Sequence, residues 1–169
     1  ILHQHSEGLI CLSGCLAGEI PQKIIHGDYE AAKAKALELR DLFGEDNFYL
    51  EIQDHNIPEE RQAAHGLIQI HKETGIPLAL TNDAHYIEKA DAYYQDVLMC
   101  IQMGKTVDDP NRMRFESQEL YLKSEEEMRK LFPTTPSASP NAVTMTLNSV
   151  TITCRASSCR RVRATAMNI

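Results

Sequence analysis

The sequence predicts an α/β fold in which parallel strands are covered by helices. Across residues 1–133, short apolar runs alternate with longer segments whose apolar residues recur at helical spacing. An order of strand, helix, strand, helix is the pattern of a parallel sheet with covered faces. Each predicted strand also ends in polar residues, and the strand ends are where parallel α/β proteins gather their chemistry.

The first predicted strand and helix occupy residues 9–12 and 28–44. The strand reads Leu-Ile-Cys-Leu, which is typical of a short buried strand. Asp28 is a good N-cap residue, and Gly44 is typical of a helix end. Between them, the apolar residues recur at helical spacing: Ala32, Ala36, Leu39 and Phe43.

The second unit consists of a strand at 48–52 and a helix that begins in the sequence Asn-Ile-Pro-Glu. We expect Asn56 to cap this helix, Pro58 to lie in its first turn and Glu59 to reach back to the cap. Gly75 is the predicted end of the helix. Its apolar residues form one stripe: Ala63, Leu67 and Ile70.

The third unit pairs a strand at 78–81 with a helix at 89–103. Val97 and Ile101 are predicted to face inward, and Gly104 to end the helix. Three such units are too few to close a barrel, although they are compatible with part of one.

The segment after the third unit changes character. Ser124-x-x-Glu127 is a capping box, which predicts a short last helix. Residues 134–169 then contain no acidic, Lys, Gly or aromatic residue, but seven Thr, five Ser and four Arg. A strand at 150–153 is possible. Two interpretations are open: a disordered basic tail, or a reading-frame shift after residue 133, and we favour the second.

Composition narrows the class of protein. With 169 residues, 43% of them hydrophobic and 24% charged, the chain is long enough for one domain with a core. No apolar run approaches the roughly 20 residues that span a membrane. An odd count of five Cys, without the pattern of a small disulfide-bonded scaffold, favours a reducing, cytoplasmic setting, and the lack of a Cys-x-x-Cys pair argues against a zinc finger.

The charge distribution and the first residues add two expectations. All 24 acidic residues lie in 1–133 together with 13 of the 17 Lys and Arg, and an acidic body does not favour a DNA-binding surface. The chain starts Ile-Leu-His-Gln-His, without an initiator Met or a signal-peptide pattern. We therefore expect a piece of a longer protein.

Polar side chains at the three strand ends suggest a metal site. Asp83 and His85 follow the third strand at spacing i, i+2, which places both on the same face of an extended backbone. A carboxylate and an imidazole are ligands for divalent metals, which activate water. Without further context, Asp83 as a turn cap and His85 as a packed ring would be the favoured interpretation. Cys15, after the first strand, would more often be a small buried apolar residue.

Seven ordered blocks give the chain a resemblance to a known family. They span 8–21, 47–55, 75–78, 81–86, 96–102, 105–115 and 121–124, and include Gly-Cys-Leu-Ala-Gly-Glu, Tyr-Leu-Glu-Ile-Gln-Asp-His and Thr-Asn-Asp-Ala-His-Tyr. Together they resemble the PHP (polymerase and histidinol phosphatase) domain of the bacterial replicative DNA polymerase III alpha subunit. The resemblance covers about residues 6–133.

The resemblance implies that residues 1–133 form the later part of a distorted (β/α)7 PHP barrel, with an exit segment towards the polymerase palm. It also implies that Cys15, Asp83 and His85 are metal ligands, with zinc or manganese as the metal. The family's earlier ligands would lie before residue 1. Some members use this site for 3′–5′ exonuclease proofreading, while others keep the domain as a scaffold.

The resemblance further implies a parent protein that synthesises DNA in the cytoplasm. Its partners would be DNA, deoxynucleotides, a proofreading subunit and the sliding clamp, with no membrane. The polymerase carboxylates and their magnesium would belong to the palm, beyond residue 133. A stand-alone PHP phosphoesterase and a non-catalytic PHP scaffold are the alternatives, and the blocks at 108–115 and 121–124 favour the polymerase over the phosphoesterase.

Other polar groups are left unassigned as ligands. His3 and His5 imitate the family's opening His-x-His motif but precede Glu-Gly-Leu, so we interpret them as a chance match. The polar residues 53–55 either line the site or form an ordinary loop. The basic residues of 105–115 either approach a DNA backbone or belong to a connector.

Overall fold

The computed structural model describes residues 2–132 and 143–144, whose strands form one parallel sheet in the order β1-β2-β3-β4. The strands are β1 Cys11–Leu12, β2 Phe48–Ile52, β3 Leu78–Leu80 and β4 Val143–Thr144. The helices are α1 Leu2–His5, α2 Glu19–Ile25, α3 Tyr29–Phe43, α4 Pro58–Thr74, α5 Ala92–Met103 and α6 Glu125–Leu131, with a 3-10 turn at Lys89–Asp91. The register pairs Cys11 with Phe48, Leu50 with Leu78, and Ala79 with Val143. The predicted α/β class and parallel sheet are therefore confirmed.

Most helix ends lie where the sequence predicts them. The Asp28 carboxylate accepts a hydrogen bond from the Ala31 amide at 3.2 Å, so it caps α3. Gly75 and Gly104 end α4 and α5 with φ of 75° and 64°, a left-handed conformation that glycine adopts without steric cost. The capping box of Ser124 at the start of α6 is present as well.

The beginning of α4 differs from the prediction. Ile57, not Asn56, is the N-cap residue, and Asn56 adopts a positive φ of 63° in the preceding turn. Pro58 does occupy the first turn, but Glu60 rather than Glu59 reaches back: its Oε2 accepts a hydrogen bond from the His55 amide at 2.6 Å. The chain turns one residue later than the cap pattern suggests, which points Glu60 into the protein.

Helix α2 was not predicted, because its sequence contains a proline at the third helical position. Pro21 breaks no intrahelical bond there, since the first amides of a helix lack intrahelical partners. Burial of Ile20 and Ile24 against the core stabilises this short helix.

The core lies between the sheet and helices α2, α3 and α4. Its largest fully buried side chains from the strands and α4 are Phe48, Leu50, Leu67 and Ile70. Gly66 allows α2 to approach α4 closely, because a Cβ at this position would lie 2.6 Å from Ile24 Cγ2. The predicted stripe of α4 is buried as expected.

Helix α5 is packed less completely than its sequence suggests. Ile101, predicted to face inward, is 70% exposed, and Cys100 is the buried residue of this helix. Val97 is half-buried. Among the described residues, no helix is long and apolar enough to cross a membrane. The strand predicted at 150–153, and the composition change that begins at residue 134, lie outside the described residues apart from β4.

Candidate metal centre

Hydrogen bonds join the ends of the first three strands. The Glu51 amide at the end of β2 donates to Ser13 Oγ, which follows β1, at 2.8 Å. Thr81 Oγ1, just after β3, donates to Glu51 Oε1 at 2.5 Å. Gln53 Nε2 donates to the same carboxylate oxygen at 3.1 Å. The expectation that these polar strand ends converge is therefore met by direct contacts.

Glu51 is one of two buried acidic residues in the described structure, with 7% of the residue exposed; the other is Glu60. Burial raises the pKa of Glu51, because the charged carboxylate loses water. Hydrogen bonds from Thr81, the Gly14 backbone and Gln53 oppose that shift, since each stabilises the anion. Glu51 was not predicted as a site residue, although its position inside an apolar strand is the signal that could have identified it.

Asp83 and His85 come together as their spacing predicts. His85 Nε2 lies 3.4 Å from Asp83 Oδ1, and their side chains are 35% and 42% exposed. Two donors bound to one divalent ion at about 2.0–2.2 Å in tetrahedral geometry stand at about this separation. The pair therefore fits two positions in the coordination sphere of one metal ion.

The segment before α6 holds the backbone around this pair. The His85 amide donates to the Leu120 carbonyl oxygen at 2.8 Å, and the Leu122 amide donates to the Tyr86 carbonyl oxygen at 3.0 Å. The Phe115 ring packs on the His85 ring with 4.6 Å between centroids. From the sequence, this segment was interpreted as an exit towards the next domain, with contact to a DNA backbone as an alternative for residues 105–115. Its packing around the pair was not predicted, because contacts across some 35 residues of chain leave no local pattern.

Further buried polar groups lie at the edge of the sheet where the carboxyl ends of the strands meet. Asn82 Nδ2 donates to the Tyr121 carbonyl oxygen at 2.8 Å, and Lys123 Nζ lies 3.3 Å from Asn82 Oδ1. The Lys123 ammonium also lies 4.4 Å from the centroid of the Tyr121 ring. Burial lowers the pKa of Lys123, although the carboxylates of Glu119 and Glu127 act in the opposite direction.

His55 is a buried residue of the site. The sequence left two interpretations open for residues 53–55, a lining of the site or an ordinary loop. Only 1% of the His55 side chain is exposed, so it does not belong to an ordinary polar loop. Its Nδ1 lies 2.8 Å from Glu60 Oε1, and the Asp83 amide donates to its Nε2 at 3.1 Å. His26, His65 and His71, by contrast, each bond a main-chain carbonyl on or near their helices.

Cys15 is placed differently from the other two predicted ligands. It is exposed on the loop after β1, beside a shallow groove that Glu51, Gln53 and Glu60 also line. Within the described part of the chain, no three His, Cys, Asp or Glu side chains are close enough to hold one metal ion. In the structure, Asp83 and His85 therefore lie together, whereas Cys15 does not form a three-donor group with them.

Comparison with known proteins identifies the family that the first third of the chain matches. The PHP domain family model matches residues 1–55, a range that includes Cys15 and ends before Asp83 and His85. The chain thus carries part of a PHP domain.

Several relatives similar to this chain are named DNA polymerase III subunit alpha. DNA polymerase III subunit alpha of Treponema pallidum is 48% identical over 143 residues, 85% of this chain and 12% of the relative. The subunit of Thermus aquaticus is 44% identical over 79% of this chain and 11% of the relative, and that of Mycobacterium tuberculosis is 38% identical over 78% and 11%. The chain is therefore similar to DNA polymerase III alpha subunits over about four fifths of its own length, and it spans about an eighth of the length of these relatives.

Proposed function

We propose that this chain is a section of the alpha subunit of a bacterial replicative DNA polymerase, which synthesises DNA from deoxynucleotides on a template. The names of the relatives, at 36–48% identity, support this proposal. The polymerase carboxylates and their magnesium ions would lie in the palm, outside this chain. The parent would act in the bacterial cytoplasm with DNA, a proofreading subunit and the sliding clamp.

Residues 1–133 are proposed as the later part of a distorted (β/α)7 barrel. The parallel register of the first three strands, with helices α2 to α4 packed against them, supports this assignment. Residues 134–169 are proposed to lie outside the domain, as the product of a frame shift. Sequencing the coding DNA tests this proposal. Translation in another reading frame after residue 133 should give a continuation whose composition resembles that of residues 1–133.

The observation that carries the functional proposal is the convergence of Asp83 and His85 at the carboxyl end of β3. We propose that these two side chains and Cys15 are ligands of a divalent metal, zinc or manganese, and that the remaining ligands lie outside this chain. When bound, such a metal would lower the pKa of a water molecule and neutralise charge on a phosphodiester. Asp83 supplies an anionic oxygen, and His85 supplies a ring nitrogen whose orientation Phe115 restricts.

The alternative of a small stand-alone phosphoesterase is less well supported. Hydrogen bonds tie Leu120 and Leu122 to the backbone of His85 and Tyr86, so the exit segment of the polymerase family is built into the site. A separate phosphatase would have no use for this segment. Primer extension by the complete parent protein is expected, and its absence in a folded, metal-loaded preparation would contradict the proposal.

Metal binding by the chain is tested with Mn²⁺. Paramagnetic broadening of the Asp83 and His85 amide signals is expected at low Mn²⁺ concentration, and Asp83→Asn should abolish it. Asp41→Asn is the matched control, because Asp41 lies on the exposed face of α3 and pairs only with Arg40 in the described structure. Equal broadening in both variants would remove Asp83 from the site.

Exonuclease activity is proposed for the parent and not for this chain alone. With three of the family's ligands, the chain lacks a complete cage, so we expect no robust release of nucleotides from a primer end in Mn²⁺. Metal-dependent release that Asp83→Ala abolishes would overturn this expectation.

A further inference from the structure

The His55 ring lies between a buried carboxylate and the main chain of the metal pair. Its side chain and that of Glu60 are 1% and 6% exposed, so neither is oriented by bulk water. The two oxygens of Glu60 bond the same residue: Oε1 lies 2.8 Å from His55 Nδ1, and Oε2 accepts from the His55 amide at 2.6 Å. This double contact fixes both the backbone and the ring of His55 relative to the start of α4.

The partners of the ring define its tautomer. A carboxylate oxygen accepts hydrogen bonds, so the proton lies on Nδ1 and is donated to Glu60. The Asp83 amide is a donor, so Nε2 accepts with its lone pair at 3.1 Å. Both ring nitrogens are therefore occupied, and His55 has no free nitrogen with which to coordinate a metal.

The main chain after β3 is held at alternate residues. The Thr81 amide donates to the Ile52 carbonyl oxygen at 3.1 Å, and the His85 amide donates to that of Leu120 at 2.8 Å. Between these two main-chain bonds, the Asp83 amide is held by the ring of His55. This bond to His55 therefore acts on Asp83, the residue that supplies the carboxylate of the metal pair.

We propose that His55, oriented by Glu60, is a positioning residue that holds the Asp83 backbone so that Asp83 and His85 converge on one metal ion. This inference rests on the proposed metal site. Partners that orient metal ligands commonly change metal affinity by about 10–100-fold when they are mutated. In this chain, His55 contacts the backbone amide of Asp83 and not its carboxylate.

Two substitutions separate this role from a merely structural one. The Asn side chain places its amide where His has Nδ1, so His55→Asn keeps a donor for Glu60 and loses the acceptor for Asp83. The Gln side chain reaches the position of Nε2, so His55→Gln keeps an acceptor for Asp83 and loses the Nδ1 donor. If His55 only anchors the start of α4 through Glu60, the Gln variant should be the more damaged of the two.

The test uses the ¹⁵N-labelled 169-residue chain and has a metal-free and a metal-dependent readout. His55→Asn is expected to speed hydrogen exchange of the Asp83 amide and to weaken Mn²⁺ binding about tenfold, as judged by broadening at Asp83 and His85. His55→Gln should keep Asp83 protection and Mn²⁺ binding close to those of the unmodified chain. Thermal melts establish that both variants are folded.

Several outcomes overturn the inference. Unchanged Asp83 exchange in His55→Asn, or a greater loss in His55→Gln than in His55→Asn, removes the positioning role. If the unmodified chain binds no Mn²⁺ at this pair, the proposed metal site fails, while the exchange of the Asp83 amide still decides whether His55 holds this backbone. Should His55→Asn fail to fold, Glu60→Gln replaces it: weaker orientation of the ring should speed Asp83 exchange, and unchanged exchange contradicts the proposal.

Discussion

Two regions of the chain are stabilised in different ways. The inner region, residues 19–80, buries Phe48, Leu50 and Leu67 between the sheet and its helices. The outer region, residues 87–132, leaves several large apolar side chains exposed: Ile87, Tyr93, Tyr94, Leu98, Ile101 and Met113. Among its described residues, the buried apolar side chains are Cys100, Leu120 and Met128, and ion pairs and a capping box add to their packing. The inner region should therefore respond to lost packing, and the outer region to lost charges.

The largest expected effect comes from a cavity in the inner region. Leu67→Ala removes a side chain that is 2% exposed and should lower the free energy of unfolding by about 2–5 kcal/mol. Ile101→Ala, at 70% exposure in the outer region, should change it by no more than about 0.5 kcal/mol. Urea denaturation of both variants, followed by circular dichroism, measures the difference. Similar losses would mean that α5 is packed as tightly as α4.

A smaller effect is expected where glycines permit close approach. A Cβ at Gly18 would lie 2.6 Å from the Ser13 carbonyl oxygen, and a Cβ at Gly66 would lie 2.6 Å from Ile24 Cγ2. Gly18→Ala should cost about 1–3 kcal/mol, because the backbone of the Cys15 loop cannot rotate away. Gly66→Ala should cost less, since the gain of about 1 kcal/mol for alanine over glycine in a helix offsets part of the cost of displacing Ile24. Denaturant midpoints of the pair test this order, and the reverse order would contradict it.

In the outer region, one ion pair joins α5 to the following loop. Arg112 Nη2 lies 2.7 Å from Asp96 Oδ2, Nη1 bonds Oδ1, and only 7% of the arginine side chain is exposed. The guanidinium lowers the pKa of Asp96 through these bonds. Arg112→Ala should lower the melting temperature more than the control Arg129→Ala, whose ion pair with Glu125 is exposed on both sides. Thermal melts at low and high salt give both values, and equal losses would argue against a special role for Arg112.

The smallest expected effect is a pH response at the start of α6. Hydrogen bonds from the Ser124 amide and hydroxyl and from Tyr121 lower the pKa of Glu127 from 4.5 to about 2. Because the folded value lies below the unfolded one, this contribution is fully present above about pH 4.5 and is lost as the pH falls towards 2. The melting temperature of Glu127→Gln should therefore depend less on pH in this window than that of the control Glu126→Gln. An NMR titration of the Glu127 carboxyl that gave an ordinary pKa would contradict the assignment.

Local sequence patterns predicted helix ends correctly where residues close in the chain determine them. Asp28, Gly75 and the Ser124 capping box act through neighbours within four residues, so their roles were readable from the sequence. Asn56 was assigned wrongly as a cap because a competing acceptor, Glu60, is drawn into the buried edge of the sheet and shifts the start of α4. Ile101 was assigned wrongly because helical spacing identifies an apolar face but not the element that covers it.

The sequence by itself determined the α/β alternation, the parallel sheet and the pairing of Asp83 with His85, because residue spacing and backbone geometry suffice for these features. Only the tertiary structure decided that Glu51 joins three strand ends, that residues 115–122 pack around the pair, and that His55 is buried between Glu60 and Asp83. Apart from the contact of His55 with Glu60, those contacts connect residues 28 to 39 positions apart. Their energy depends on burial from water, which chain folding creates and no local pattern encodes.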